Sequence, residues 1–305
     1  IYVDGGNASF GRFNGLDEDT TYVDANAKGA WRNAGGTFLK YSLADLGLDT
    51  RSGTIVLGRE GRFDVALNYD AVPWRRFDTT VSPYSGAANL TLPGTWVRAL
   101  GTNGMTALAS ALGARDIGTE RKTYGLNARF LAGTNWTFFG GYSRQEKEGT
   151  SWQYAAFLTS AVQLPTPIDY VTDTFEAGAA WSNSRASVRL AYSGSFFKNA
   201  NTSLTFQNPY TPILPAAATG RLALAPDNDA QQVGLSGNYR FDFWNAAVTY
   251  AATVGRLKQD DTVLPVSTAA NAATPVASLN GEVKLAHYGA SLSLLVELLQ
   301  HGIRA

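Results

Sequence analysis

Few residues in this chain are of a type that performs catalysis. There are two histidines, His287 and His301, and no cysteine. Axial haem ligation by either histidine would need a cofactor positioned beside it, so both read as ordinary polar residues. Without cysteine there is no disulfide, no thiolate metal site and no CxxCH haem attachment. The acidic runs Asp17-Glu18-Asp19 and Asp260-Asp261 lack the twelve-residue ligand spacing of a calcium loop and read as solvated loop residues. No GxSxG, HExxH or phosphate-cradling glycine loop occurs. The charged side chains that remain informative are those placed by a strict alternation: Asp24, Lys28, Lys40, Asp64, Arg121, Arg129, Glu176, Arg189 and Arg240, with the amides Asn68, Asn127 and Asn238 in the same phase. Such a set can line a hydrated wall, its charges pairing across strands, or form a surface complementary to an enclosed partner, where charge gives orientation more than affinity.

The element that positions them is clearest from Glu120 to Tyr142. Tyr124, Leu126, Ala128 and Phe130 share one face, and Arg121, Thr123, Asn127 and Arg129 the other. After a turn at Ala132–Asn135, Trp136, Phe138 and Tyr142 continue the apolar face. Period two means a strand between unlike environments. The same pattern recurs in strands expected at Thr21–Trp31, Thr37–Leu46, Thr54–Asp70, Thr172–Ser182, Ala186–Phe197, Gln231–Phe241 and Trp244–Gly255, with a last one from about Ser278 that changes phase near Lys284–His287 as a bulge would. The apolar faces carry Tyr124, Leu126, Phe130, Trp136, Phe138, Trp181, Val188, Leu190, Val233, Leu235 and Val248.

Connection lengths assign the class. Joins at 47–53, 132–135, 183–185 and 242–243 are short, and those at 71–119, 146–170, 199–229 and 257–277 are long. The two kinds alternate, with the turn at 32–36 as the single exception, so short turns collect at one end of the sheet and long loops at the other. The 71–119 insert holds one helical pattern, Met105, Leu108, Ala109 and Leu112, expected as a short helix packed on its own loop. Aromatic residues cluster near strand ends: Trp31, Tyr69, Trp136, Tyr142, Trp181, Tyr239, Phe241 and Trp244. Sorted loops, aromatic girdles and alternating strands predict a transmembrane antiparallel β-barrel of about ten strands, with short periplasmic turns and long external loops, in the bacterial outer membrane. The apolar set would then face lipid and the polar set the lumen. No apolar run is long enough for a transmembrane helix.

Composition agrees. Charged residues are 16% of 305, aromatics 12%, and 25 basic balance 25 acidic residues, which argues against a dedicated nucleic-acid binder. The expected organisation is an entry segment over 1–20, a barrel wall over 21–296 and an irregular tail over 297–305. The tail ends without the terminal aromatic usual in bacterial barrels, as a shortened chain would. Lipid offers no hydrogen-bond partner to an open sheet edge, so the sheet is expected to close. Ten strands could close alone, but the shortened tail points to part of a larger wall.

The strings FGRFNGLDE (Phe10–Glu18), LGLDTR (Leu46–Arg51), NLTLP (Asn89–Pro93), LPTPID (Leu164–Asp169), SGSFFKN (Ser193–Asn199), QNPY (Gln207–Tyr210) and LAPDND (Leu224–Asp229) occur in this order. Together they resemble the MtrB/PioB family of decahaem-associated outer-membrane barrels, over what looks like the N-terminal half of longer members. The paired cysteines near the N-terminus of some members are absent here. The resemblance implies a non-enzymatic sheath. Its lumen would hold a periplasmic multihaem c-type cytochrome, an outer-surface cytochrome could dock outside, and haem would be carried by these partners, none being bound directly. Electrons would cross the outer membrane along the enclosed haems, in metal reduction or oxidation. A stand-alone porin or solute channel is the alternative, and a soluble β-rich carbohydrate-binding protein, suggested by exposed Trp and Tyr, is a further one.

Overall fold

A computed structural model describes residues 1–157, 159–213, 215–242, 246–260, 264 and 281–294. Eleven strands form one antiparallel meander in which each strand pairs with its chain neighbours. They are β1 (Ala25–Arg32), β2 (Thr37–Leu46), β3 (Ser52–Arg59), β4 (Phe63–Phe77), β5 (Ile117–Ala132), β6 (Trp136–Phe157), β7 (Ser160–Ser182), β8 (Ala186–Asn199), β9 (Asn228–Arg240), β10 (Ala246–Gln259) and β11 (Gly281–Leu294). The sheet is not closed: among the described residues, β1 pairs only with β2 and β11 only with β10. No helix among them is long and apolar enough to cross a membrane.

Three sequence expectations need correction. The segment Thr54–Asp70 is not one strand but the hairpin β3–β4, turning at Glu60-Gly61-Arg62 with Arg59 opposite Phe63. Gly61 adopts φ 68°, a left-handed conformation that glycine takes without a Cβ penalty. A three-residue turn preserves parity, so odd residues face the same way on both arms and the alternation runs through the turn unbroken. With this hairpin counted, the turn after β1 joins the short-turn end, together with 60–62, 133–135, 183–185 and the join between Arg240 and Ala246. The short join at 47–51 instead lies at the long-loop end.

The second correction concerns 146–170, expected as a loop. It is the upper part of the β6–β7 hairpin, paired without interruption from Trp136–Trp181 to Phe157–Ser160. At about 3.4 Å per residue, the 23 residues of β7 extend roughly 75 Å, more than twice what a tilted strand needs to cross a bilayer. Both faces are polar from Arg144 to Ser151, which removes the period-two signal where the strand continues. The third correction is at β11, which pairs with β10 from Gln259–Gly281 to Ala246–Leu294 with no register shift, so the expected bulge is absent. The loop at 257–277 falls largely outside the described residues, although β10 runs on to Gln259; Trp244, His301 and the tail at 297–305 also lie outside them.

The main buried cluster sits at the long-loop end, between the inserts and the upper part of β7. The inserts 78–116 and 200–227 fold together at the long-loop end: strands Ser203–Gln207 and Thr219–Ala223 pair with each other, and Asn89–Leu90 joins them. Tyr84, Leu90, Leu164, Leu204 and Phe206 form the core of this cap, with Ala155, Phe157 and Val162 of the β6–β7 hairpin packed against it. The Tyr84 hydroxyl donates to the Gln207 carbonyl (2.7 Å), and Trp96 Nε1–H donates to the Pro209 carbonyl (2.9 Å). The helical pattern at 105–112 reduces to one turn, Leu108–Ala111, beside buried Met105. The segment 1–20 is tied to the same end: Asp17 and Asp49 both bridge Arg75, at 3.3 and 2.8 Å.

Candidate functional site: the two faces of the wall

Register decides which residues share a face. Phe138, Ala179, Leu190 and Leu235 lie on one row across β6 to β9, and Trp136, Trp181 and Val188 on the next. Leu126 pairs with Tyr142, Tyr124 with Tyr69, Phe130 with Phe138, Val233 with Tyr192, and Val248 with Tyr239. All eleven residues expected on the apolar side therefore occupy one face. Several remain exposed within the chain, among them Phe130 (52%), Leu190 (51%) and Phe138 (45%). An apolar surface this extensive marks a face that needs a non-aqueous neighbour. Rings gather at its two edges. Trp136 and Phe138 stack at 5.9 Å near the short turns, and Tyr239 meets Phe241 edge-on at 4.8 Å. Tyr69 and Tyr124 meet at 5.2 Å, and Phe175 and Tyr192 at 5.4 Å, nearer the long loops. On β6 the six steps from Trp136 to Tyr142 span about 20 Å along the strand.

Sequence reasoning missed what ends this band. Just above it, the same outward face turns ionic. Lys122 bridges Glu120 (3.2 Å), Arg144 bridges Glu146 (2.9 Å) and Asp173 (3.6 Å), and Arg256 lies 3.9 Å from Asp229 and from Glu282. The signal was present on β6, where the even positions change from Trp, Phe, Gly and Tyr to Arg144, Glu146 and Glu148.

The other face carries the expected polar set. Lys28, Lys40, Asp64, Asn68, Arg121, Asn127, Arg129, Glu176, Arg189, Asn238 and Arg240 all fall on it by register. Asp24 precedes β1, and its carboxylate accepts the Asn26 amide at 3.3 Å. Residues from β4 through β11 line one cavity of about 800 Å³, including Asp64, Asn127, Glu176, Gln232 and Leu285, so this face is concave.

Its chemistry is hydrogen-bonded and partly self-neutralising. Arg129 reaches Asp64 with two nitrogens, at 2.9 and 2.6 Å. Arg189 bridges Glu176 at 2.5 Å while its guanidinium lies 4.2 Å from the Phe139 ring centre. The Phe139 ring in turn covers Gly178 so closely that a Cβ there would lie 2.4 Å from it. Thr54 donates to Asn68 (3.1 Å), and the Ser187 hydroxyl donates to Asn238. These couples are exposed, so each contributes only about 0.2–1 kcal/mol to stability. Lys40 lies 5.3 Å from the Phe38 ring centre. Lys147, missed because 146–170 was expected as a loop, stands directly opposite Arg121. His287 lies on the concave face opposite Thr253. Among the described residues no group of His, Asp or Glu is arranged to hold a metal ion.

Comparison with known proteins matches this architecture. Residues 2–298 match the family described as "Putative outer membrane beta-barrel porin, MtrB/PioB". Outer membrane protein MtrB of Shewanella baltica is 29% identical over 272 residues, covering 88% of this chain and 37% of that protein. The chain thus spans little more than a third of that relative's length. Among solved structures, OmpT of Vibrio cholerae expressed in the outer membrane aligns with TM-score 0.38 and 10% identity, over 77% of this chain and 55% of that one. An in-vitro folded form of the same protein gives 0.39 and 11%, over 95% and 69%. The family match, extending over nearly every strand described above, establishes that the chain is an outer-membrane β-barrel protein belonging to the MtrB/PioB family.

Proposed function

We propose that this chain forms part of the wall of a sheath that houses a multihaem c-type cytochrome, so that electrons cross the outer membrane on haems carried by that partner. The observation that supports the reading most is the concave face: polar, lined by residues from eight successive strands, and furnished with charges rather than with a catalytic constellation. A wall of this kind separates a protein from lipid. Its apolar side chains replace the water-facing surface that the partner would otherwise present to hydrocarbon. The continuous hydrogen-bond ladders of the described sheet leave bare backbone groups only at the β1 and β11 edges, where the rest of a larger wall would pair. In this reading the eleven apolar-face residues contact lipid and the polar set faces the enclosed protein. A second cytochrome would dock at the long-loop end. The outer-membrane assignment sets aside the soluble carbohydrate-binding alternative.

The experiment is purification of the full-length protein from its native membrane in mild detergent. A haem-staining protein is expected to remain bound through size exclusion. Solute-permeable conductance of the purified protein in planar bilayers, with no haem protein attached, would overturn the sheath and favour a stand-alone channel. Bilayer-confined photoreactive labels should modify Tyr124, Phe138 and Val188 and spare Asn127 and Arg189; the reverse pattern would overturn the assignment of faces.

A further inference from the structure

The charges of the concave face fall into two groups. The couples Asp64–Arg129 and Glu176–Arg189 neutralise themselves at 2.6 and 2.5 Å. Lys28, Lys40, Arg121, Lys147 and Arg240 do not: among the described residues none of the five has a carboxylate within salt-bridge distance. Conversely, among the described residues only Asp70, opposite Thr123 and one concave pair along from Arg121, is a concave strand carboxylate with no ion pair. Two features make this a property of the surface rather than of loose side chains. Arg121 and Lys147 are direct cross-strand partners, and like charges directly opposite each other oppose sheet formation. Lys28 and Lys40 lie diagonally across β1 and β2, where Lys28 pairs with Ser42 and Lys40 with Ala30, and both line a shallow depression of about 310 Å³. The concave positions of β1 to β3 include no Asp or Glu at all: they are Asn26, Lys28, Ala30 and Arg32, then Phe38, Lys40, Ser42 and Ala44, then Ser52, Thr54, Val56 and Gly58. Arg32 is satisfied by Glu60 of the neighbouring turn (2.7 Å). On the outward face of β5, β6 and β10 the cations behave differently, since Lys122, Arg144 and Arg256 each have acidic neighbours within 4 Å.

From this asymmetry we propose that Lys28, Lys40, Arg121 and Lys147 are the docking contacts of the lumen, and that the enclosed protein presents surface Asp and Glu carboxylates to them. The proposal rests on the sheath reading and specifies the chemistry of the partner's surface. The self-paired couples line the wall without selecting anything. The uncompensated cations set the rotation and height at which an acidic protein surface sits. Complementary charge of this kind fixes register and suppresses wrong partners. A partner with a basic surface would leave the opposed Arg121–Lys147 pair without compensation and would be rejected.

The test uses the full-length complex as isolated from membranes. Zero-length carbodiimide coupling joins a lysine amine to a carboxylate with loss of water, and the cross-linked peptides are identified by mass spectrometry. Lys28, Lys40 and Lys147 are expected to couple to Asp- and Glu-containing peptides of the haem protein. In parallel, the Lys28→Glu/Lys147→Glu double variant should release the haem protein at about half the salt concentration needed for the native complex. Lys28→Arg/Lys147→Arg should restore retention, and Asp64→Asn/Arg129→Gln should leave it unchanged. If the haem protein co-purifies but these lysines couple to nothing, or only to haem propionates, the docking proposal fails while the sheath stands. If no haem protein co-purifies at all, the sheath itself fails.

Discussion

The lower and upper halves of the β6–β7 hairpin use the same ladder and opposite sides. In the lower half the bulky apolar residues, Trp136, Phe138, Tyr142, Phe175 and Trp181, point to the convex face, and Thr137, Ser143, Thr174 and Glu176 to the concave one. In the upper half the apolar residues that pack into the cap, buried Leu164 and partly buried Ala155, Phe157 and Val162, are on the concave side. The outward side there carries Glu146, Glu148 and Asp169, with Tyr154 70% exposed. The backbone does not change phase; the surroundings do. Burial follows what lies next to each face, so one continuous strand can be inside out at one end and conventionally packed at the other. The ionic rows at Lys122, Arg144 and Asp173 mark the crossover.

The largest expected effect on this contrast comes from the cap. Leu204→Ala removes a fully buried side chain and should cost about 2–5 kcal/mol of cap stability. Limited proteolysis should show cleavage within 200–227 while the wall strands stay resistant; equal loss in both regions would mean that the halves are not independent. Leu190→Arg places a charge in the outward apolar band and should cost about 2–4 kcal/mol if that band lies near the middle of the bilayer. Urea titration in lipid vesicles measures this, and a near-zero cost would place Leu190 outside hydrocarbon. Leu190→Ala should cost far less than Leu204→Ala, because lipid can fill the space where a packed core cannot.

A smaller effect separates the regions by pH. Burial pushes the Tyr84 hydroxyl well above its ordinary value, so the folded cap favours the neutral phenol. That contribution is fully present below the ordinary tyrosine value of about 10 and declines as pH rises beyond it. Hydrogen-exchange protection in 78–116 and 200–227, taken relative to the intrinsic base-catalysed rate, should therefore fall at strongly alkaline pH, and Tyr84→Phe should blunt the fall; an unchanged profile would show that Tyr84 does not govern it. Smallest is Asp64→Asn, expected to change wall stability by about 0.2–1 kcal/mol because the Arg129 couple is exposed.

The wall was legible from the sequence because alternation records two unlike neighbours. Both face sets fall where register places them, and Thr37–Leu46 is a strand with the expected bounds. The hairpin at Gly61 escaped because an odd-numbered turn leaves the phase intact. The upper β6–β7 hairpin escaped because water outside and a wet mouth inside make both faces polar over 144–151, leaving nothing for periodicity to register. The cap was invisible for a different reason. Its core joins Tyr84 and Leu90 to Leu204 and Phe206, more than a hundred residues apart, and short local patterns do not encode such partners. The concave charges were legible as positions, but which of them neutralise each other depends on geometry across strands.

Pairing between chain neighbours alone has a consequence for biogenesis. Within β1–β4 and β5–β8 every new strand meets a template already in place, so the sheet can grow one reversal at a time with little loop entropy to overcome. The junctions β4–β5 and β8–β9 are different, since each waits for an insert of several turns to traverse before the next ladder can zip. Those two inserts are the pieces that clasp each other through Tyr84 and Gln207. Completion of the cap therefore couples the two delayed junctions to each other, before β9 to β11 are added.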